Sequence, residues 1–168
     1  MIKILDNFFE ENDLKFIQDF TLNKAFYSPC FLEGTPEKNQ ENFYGNRWYF
    51  TYEPAIEKIF TKQVEKKFNI KINKIQHSSG IDQRNLNRFI PHDDVGLSKL
   101  NALIMISGPT AVTNGTVFYT KGELDIHVGF RENRAVLFPS NWMHSPQKSE
   151  IVNLKRFTAT LFIEDYEE

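Results

Sequence analysis

His92, Asp94 and His144 are the residues of this 168-residue chain whose types and spacing could do chemistry together. Two imidazoles and one carboxylate on one side of an Fe(II) ion leave the opposite coordination positions open, and open positions let a metal hold a co-substrate and O2 side by side. In extended backbone, residues i and i+2 project to one face. His92 and Asp94 of Phe89-Ile-Pro-His-Asp-Asp-Val95 can therefore converge on one ion while Asp93 points away. Pro91 and the residue before it favour that extended geometry, and the proline also marks a strand edge, start or bulge. His144, in Pro139-Ser-Asn-Trp-Met-His144, lies too far downstream to share a turn or helix with Asp94, so another strand must bring it back. Further along, Lys155-Arg-Phe-Thr-Ala-Thr-Leu-Phe162 puts Arg156, Thr158 and Thr160 on one face of a strand and Phe157, Ala159, Leu161 and Ile163 on the other. A guanidinium fork recognises a carboxylate in a bidentate geometry that an ammonium cannot reproduce. That singles out Arg156 over Lys155.

The elements that must position these residues follow from periodicity. Residues 2–5 read as a short strand, and Asn12 is placed to cap a helix whose Leu14, Ile17 and Phe20, with Phe16 beside them, form a buried stripe. A second helix starts with Pro54 in its first turn and carries Ile56, Ile59, Phe60 and Val64 on one face, with Glu57, Lys58, Lys62, Glu65 and Lys66 as a solvated face. From residue 70 the pattern changes to short strands at 70–76, 86–90, 100–106, 116–119, 124–128, 134–138 and 154–163. Helices followed by many short strands predict a mainly β fold, with the helices packed outside a sandwich or barrel. The aromatic-rich stretch from Phe26 to Tyr52 either packs irregularly on the core, the reading we take first, or hangs over the site as a substrate-binding lid. The acidic end Glu164-Asp-Tyr-Glu-Glu168 reads as a solvated tail.

In their order along the chain, His92-x-Asp94, the apolar strand Leu100–Ile106, the turn and strand Asn114-Gly-Thr-Val-Phe-Tyr119, the strand Arg134–Pro139 leading to His144, and Arg156-Phe-Thr158 resemble the iron(II)- and 2-oxoglutarate-dependent dioxygenases, in particular the small prolyl-4-hydroxylase-like group. The resemblance runs from about residue 86 to the C-terminus. It implies a double-stranded β-helix (jelly-roll, cupin-like) core, with His92, Asp94 and His144 as Fe(II) ligands and Arg156 with Thr158 as the anchor of 2-oxoglutarate. It also implies O2 as the oxidant, C–H hydroxylation as the reaction, and succinate and CO2 as co-products. Many relatives hold the 2-oxoglutarate tail with a tyrosine on the strand after His-x-Asp. The strand Leu103–Ile106 offers none, so Tyr119 or Thr158 is the candidate to replace it. Trp48 and Arg88 are candidates for contact with substrate, which the resemblance leaves open between a peptide or protein residue and a small molecule.

Composition bounds the alternatives. The length fits one domain, residues 1–168, with 1–69 as helical support, including a lid on the second reading of 26–52, and 70–168 as the β core; 40% hydrophobic content and 16 Phe suffice to fill it. Lys+Arg of 20 against Asp+Glu of 22 gives a net charge of -2, so nucleic acid is not an expected partner. The apolar runs are too short to span a bilayer and the N-terminus lacks a signal-peptide hydrophobic region, which leads us to expect a soluble, cytoplasmic protein. Cys30 is the only cysteine, which excludes an intrachain disulfide and a thiolate cluster, and it reads as a small packing residue. His77 and His127 are given no role. The same fold could serve a non-catalytic cupin-like module that binds a metal or small ligand. Arg156 with Thr158 argues against that module, because simple metal binding needs no keto-acid anchor.

Overall fold

The computed structural model describes residues 1–31, 43–84, 91–111, 113–147 and 155–168. In chain order these form strand β1 (Lys3–Leu5), helix α1 (Glu11–Asp19) continued by a π-helical turn (Phe20–Lys24), strands β2 (Ser28–Phe31) and β3 (Phe43–Tyr49), and helix α2 (Pro54–Phe68). Strands β4 (Lys71–Ile75), β5 (Gly80–Arg84), β6 (Leu100–Ser107), β7 (Gly115–Thr120), β8 (Glu123–Gly129), β9 (Arg134–Pro139), β10 (His144–Pro146) and β11 (Arg156–Glu167) follow. Pairing is antiparallel throughout. The large sheet runs β1-β9-β6-β11-β5-β3-β2, with β4 on the far end of β11, and the small sheet runs β10-β7-β8. Two antiparallel sheets with helices on the outer face of the larger make the jelly roll expected from the sequence.

The central strands of the large sheet, β6, β9 and most of β11, are buried on both faces. Phe157, Ala159, Leu161 and Ile163 of β11 meet Ile17, Phe20, Phe60 and Val64 of the helical layer in the outer core. Met105, Val136 and Phe138 meet Phe118 and Val128 of the small sheet in the inner one. Neither helix has a side-chain cap bond at its N-terminus. What holds them is the aromatic stripe. Each fully buried Phe contributes roughly 1.5–3 kcal/mol, and edge-on pairs such as Phe9–Phe60 at 5.4 Å and Phe20–Trp48 at 4.9 Å add roughly 0.5–1.5 kcal/mol each. Helix α2 carries Pro in its first turn, buries Ile56, Phe60, Val64 and Phe68, and ends at Asn69 in the left-handed conformation with φ 54°.

Five features differ from the sequence expectation. Helix α1 begins at Glu11 with Glu10 as its uncapped flank, so Asn12 is not the cap; Glu11 and Asp13 in the first turn complement the helix dipole instead. Phe16 is 47% exposed, because one step along a helix turns a side chain about 100° away from the stripe of Leu14, Ile17 and Phe20. The stretch 26–52 is not irregular where it is described: β2 and β3 extend the large sheet, and residues 32–42 lie outside the described residues. The acidic end is strand rather than tail as far as Glu167, with Lys74–Glu164 (2.5 Å), Lys99–Asp165 (2.9 Å) and Lys71–Glu167 (3.1 Å) lacing β11 to its surroundings. The strand expected at 86–90 lies outside the described residues, and β5 just before it had not been anticipated. No helix among the described residues is long and apolar enough to cross a membrane.

Candidate metal and carboxylate site

His92 and His144 pair backbone to backbone: the His92 amide donates to the His144 carbonyl at 3.0 Å and the His144 amide donates back at 2.8 Å. The Asp94 amide donates to the Ser140 carbonyl at 2.9 Å, which fixes the third residue on the same turn of chain. Side-chain donors of His92, Asp94 and His144 lie within 4.8 Å of one another. His92 Nε2 is 3.8 Å from Asp94 Oδ1 and His144 Nε2 is 3.4 Å from Asp94 Oδ2. A facial set around an octahedral ion with bonds near 2.1 Å needs edges of roughly 3 Å, so small side-chain shifts would close this triangle on a metal. Asp93 is exposed, while Asp94 is buried at 7% exposure.

The supporting contacts suit ligation. Asn101 Nδ2 donates to Asp94 Oδ2 at 2.6 Å, and the Ser98 hydroxyl donates to Asn101 Oδ1 at 2.5 Å, so the carboxylate is oriented by a buried chain of donors. A carbonyl can only accept, so the 2.9 Å contact of His144 Nδ1 with the Trp142 carbonyl places the ring proton on Nδ1 and the lone pair on Nε2. Burial, and then the neighbouring His92, pushes the His144 imidazole below its ordinary pKa. This keeps the neutral, ligand-competent form.

The other end of the pocket is cationic. Arg156, Thr158 and Thr160 of β11 line it, with Asp82 and Arg84 from β5 and Arg47 from β3. Cross-strand register sets Arg156 opposite Arg84, Thr158 opposite Asp82, and Asp82 opposite Arg47. Arg47 grips Asp82 with both arms of its fork, Nε at 2.6 Å and Nη2 at 3.0 Å, and donates through Nη1 to the Ser78 carbonyl at 2.9 Å. Burial opposes the charge on Asp82, but Arg47 and then Arg84 more than offset it and hold the carboxyl below its ordinary value. Arg156 is 2% exposed and donates from Nη1 to the Gly115 carbonyl at 2.7 Å and to Asn114 Oδ1 at 3.2 Å. Its Nε has no hydrogen-bond partner among the described residues. Burial first, and then the charge of Arg84, pushes its guanidinium down to about 9, so it is still charged at neutral pH. A buried charged donor without an acceptor is costly, and a carboxylate oxygen is the acceptor that fits it.

Leu103, Phe138 and Phe162 fill the walls between the two ends, and the cavity measures about 50 Å³. By the space one water needs, that is several water positions, so only a slim ligand reaches its floor. His92, Asp94, His144, Arg156 and Thr158 therefore share one pocket. Tyr119 does not line it: its hydroxyl meets Ser145 Oγ at 3.0 Å. Trp48 faces the outer core, 4.9 Å from Phe20, on the side of β3 away from the pocket, and Arg88 lies outside the described residues. Cys30 packs near the Tyr49 hydroxyl, 3.6 Å away, and His77 and His127 are exposed. Arg47, Asp82 and Arg84 are the pocket residues that sequence reasoning missed. The signal was the alternation Arg47 against Trp48, and Asp82 and Arg84 against Ile81, across two short strands.

No family model matches the chain, and none of the curated proteins does. Solved structures do match it in fold. An oxidoreductase of the 2OG-Fe(II) oxygenase family from Burkholderia pseudomallei superposes with a TM-score of 0.70 at 12% identity, covering 99% of this chain and 84% of that one. A prolyl hydroxylase from Trichoplax adhaerens, in complex with a hypoxia inducible factor oxygen degradation domain peptide fragment, gives 0.67 at 13% identity over 98% and 83%. HygX from Streptomyces hygroscopicus, with nickel and 2-oxoglutarate bound, gives 0.64 at 10% identity over 99% and 82%. The chain has the jelly-roll fold of the 2-oxoglutarate- and iron(II)-dependent oxygenases.

Proposed function

We propose that the protein is an Fe(II)- and 2-oxoglutarate-dependent dioxygenase, acting through a single domain. It hydroxylates a C–H bond of a peptide or protein residue or of a small molecule, with release of succinate and CO2. The observation that carries this reading is the convergence, in one narrow pocket, of the His92, Asp94 and His144 donors with a buried guanidinium whose Nε lacks an acceptor among the described residues. The donor set fits a divalent metal: a lone pair on His144 Nε2, an oriented Asp94 carboxylate, and a second imidazole. When bound, the iron would supply dioxygen activation coupled to oxidative decarboxylation of the keto acid.

The chain's own residues contribute placement. His92, Asp94 and His144 hold one side of the metal and leave the other side to ligands from the pocket. Arg156 takes the distal carboxylate of 2-oxoglutarate, with the Thr158 hydroxyl beside it, and so aims the keto-acid end at the triad. Leu103, Phe138 and Phe162 exclude water between the two ends, which strengthens each charge interaction made there. The test is succinate release with Fe(II), O2 and 2-oxoglutarate across a panel of peptides and free amino acids, with wild type and Asp94→Ala compared. Succinate from wild type alone is the expected result. Tight binding of iron and 2-oxoglutarate with no succinate across the panel would move the protein to the class of binding modules.

A further inference from the structure

His144 stands on a short support. It opens β10, a strand of three residues at the edge of the small sheet, and follows directly on the turn at 140–142. Asp94 has Asn101 on its carboxylate to orient it. The contacts that hold the chain on either side of His144 converge instead on one residue of β7, Tyr119.

Tyr119 follows Phe118, the register partner of His144, and the pairing of β7 with β8 shifts between these two residues. Such a shift is a bulge, which increases the local twist and re-aims the residues beside it. From there Tyr119 reaches three neighbours of His144. Its amide donates to the Met143 carbonyl at 2.9 Å, its carbonyl accepts the Trp142 indole N–H at 3.2 Å, and its hydroxyl meets the Ser145 hydroxyl at 3.0 Å. The indole bond bears on the ligand itself, because the carbonyl of the same Trp142 accepts the Nδ1 proton of His144 at 2.9 Å. His144 points into the pocket, so Ser145 beside it points to the outer face of the small sheet, yet Ser145 is only 3% exposed. Closing the strand pair needs no more than the backbone bond to Met143. The two side-chain bonds are additional, and both fall within two residues of His144.

We infer that Tyr119 and Trp142 are positioning residues of the metal centre: the Tyr119 hydroxyl on Ser145 and the Trp142 indole on the Tyr119 carbonyl clamp the chain on both sides of His144 and set the direction of its Nε2. This role rests on the proposed metal site. Neither residue lines the pocket, so neither is a ligand or a substrate contact. An imidazole aimed before the metal arrives binds it more tightly, because the ordering of the ring is already complete in the folded chain.

The experiment is chelator competition for Fe(II) under anaerobic conditions and for Co(II), whose absorption bands report its ligand field. The proteins are wild type, Tyr119→Phe, Ser145→Ala, the double variant of those two, and Trp142→Phe. Tyr119→Phe and Ser145→Ala each remove a hydroxyl and should each weaken metal binding about tenfold or more, as loss of an outer partner of a ligand does. The double variant should lose no more than the larger single, since both changes break one bond. Trp142→Phe should lose about as much and shift the Co(II) bands. Metal-free melting temperatures of the two hydroxyl variants should stay within about 4 °C of wild type, the scale of one hydrogen bond in a chain of this size. Unchanged metal affinity in Tyr119→Phe and Trp142→Phe overturns the clamp and leaves the oxygenase reading standing. Losses that multiply in the double variant also overturn it, because the two hydroxyls would then act separately. A weakening of metal binding that comes with a larger fall in metal-free melting temperature assigns Tyr119 to folding and overturns it too. A wild type that binds neither metal removes the clamp and the oxygenase reading together.

Discussion

Arg156→Met separates a ligand anchor from a structural arginine, because the two roles predict different effects on stability and on keto-acid binding. A guanidinium that burial lowers from the ordinary arginine range to about 9 carries a folding penalty on the order of a few kcal/mol for its charged form. Truncating it leaves the Gly115 carbonyl and Asn114 Oδ1 without that donor, at about 1–3 kcal/mol each. These effects nearly cancel. The metal-free variant should therefore unfold in denaturant within about 2 kcal/mol of wild type, where removing one partner of a built structural ion pair costs about 3–5 kcal/mol. Binding of 2-oxoglutarate to the iron-loaded variant should meanwhile weaken about tenfold or more. The pH dependence has a definite sign: a base with a lowered folded-state pKa imposes its full penalty below about 9, and the penalty is relieved as pH climbs from there towards the ordinary arginine range. Wild type should therefore gain stability relative to Arg156→Met across that window. A loss of 3–5 kcal/mol, as in the built pair, combined with unchanged keto-acid affinity would show that Arg156 holds the fold rather than the co-substrate.

Asn101→Leu removes the 2.6 Å donor to Asp94 Oδ2 without touching the donor set itself. Iron affinity, measured by competition with a chelator, should fall about 10–100-fold, and an unchanged affinity would mean that Asp94 is oriented by its backbone alone. Arg47→Met strands Asp82, which is 1% exposed, beside Arg84 alone. The variant should lose about 3–5 kcal/mol of unfolding free energy, and the double variant Arg47→Met with Asp82→Leu should recover most of that loss. Additive losses in that cycle would show that the two residues are not coupled as the geometry says.

How much of this was legible in the sequence depended on whether a strand showed its two faces. In β11, Arg156, Thr158 and Thr160 alternate with Phe157, Ala159, Leu161 and Ile163, and the structure sends the first set to the pocket and the second to the helices. In β6, Leu100–Ser107, nearly every residue is buried because both faces meet a core, and the apolar run marked the strand without marking its inward side. Helix α2 was legible from its period and its proline. The start of α1 was not, since Asn12, which reads as a cap, lies inside a helix that has no side-chain cap bond at its start. The acidic end read as solvent-exposed because Glu164, Asp165 and Glu167 have their lysines at positions 74, 99 and 71, far away in sequence.

The same distance explains why the cationic floor went unread. Gly80-Ile-Asp-Gln-Arg84 follows two serines and carries charge, which is the composition of a loop. It becomes a nearly buried strand because Arg47, 35 residues upstream, arrives on β3 to neutralise Asp82. Gly80 is what lets the two strands close: a Cβ there would collide with the Trp48 carbonyl oxygen. Strand β3 in turn puts Trp48 into the outer core and Arg47 into the pocket on successive residues. Its two faces serve two different interiors, so no simple apolar–polar alternation betrays it. Charges on such strands cannot be kept for stability alone, since an apolar pair of similar volume would be cheaper to bury. Among the described residues, Arg47, Arg84 and Arg156 bring guanidiniums to one end of this narrow cavity, which suits an anion bound beside Arg156, and the triad at the other end fixes where its far end must lie.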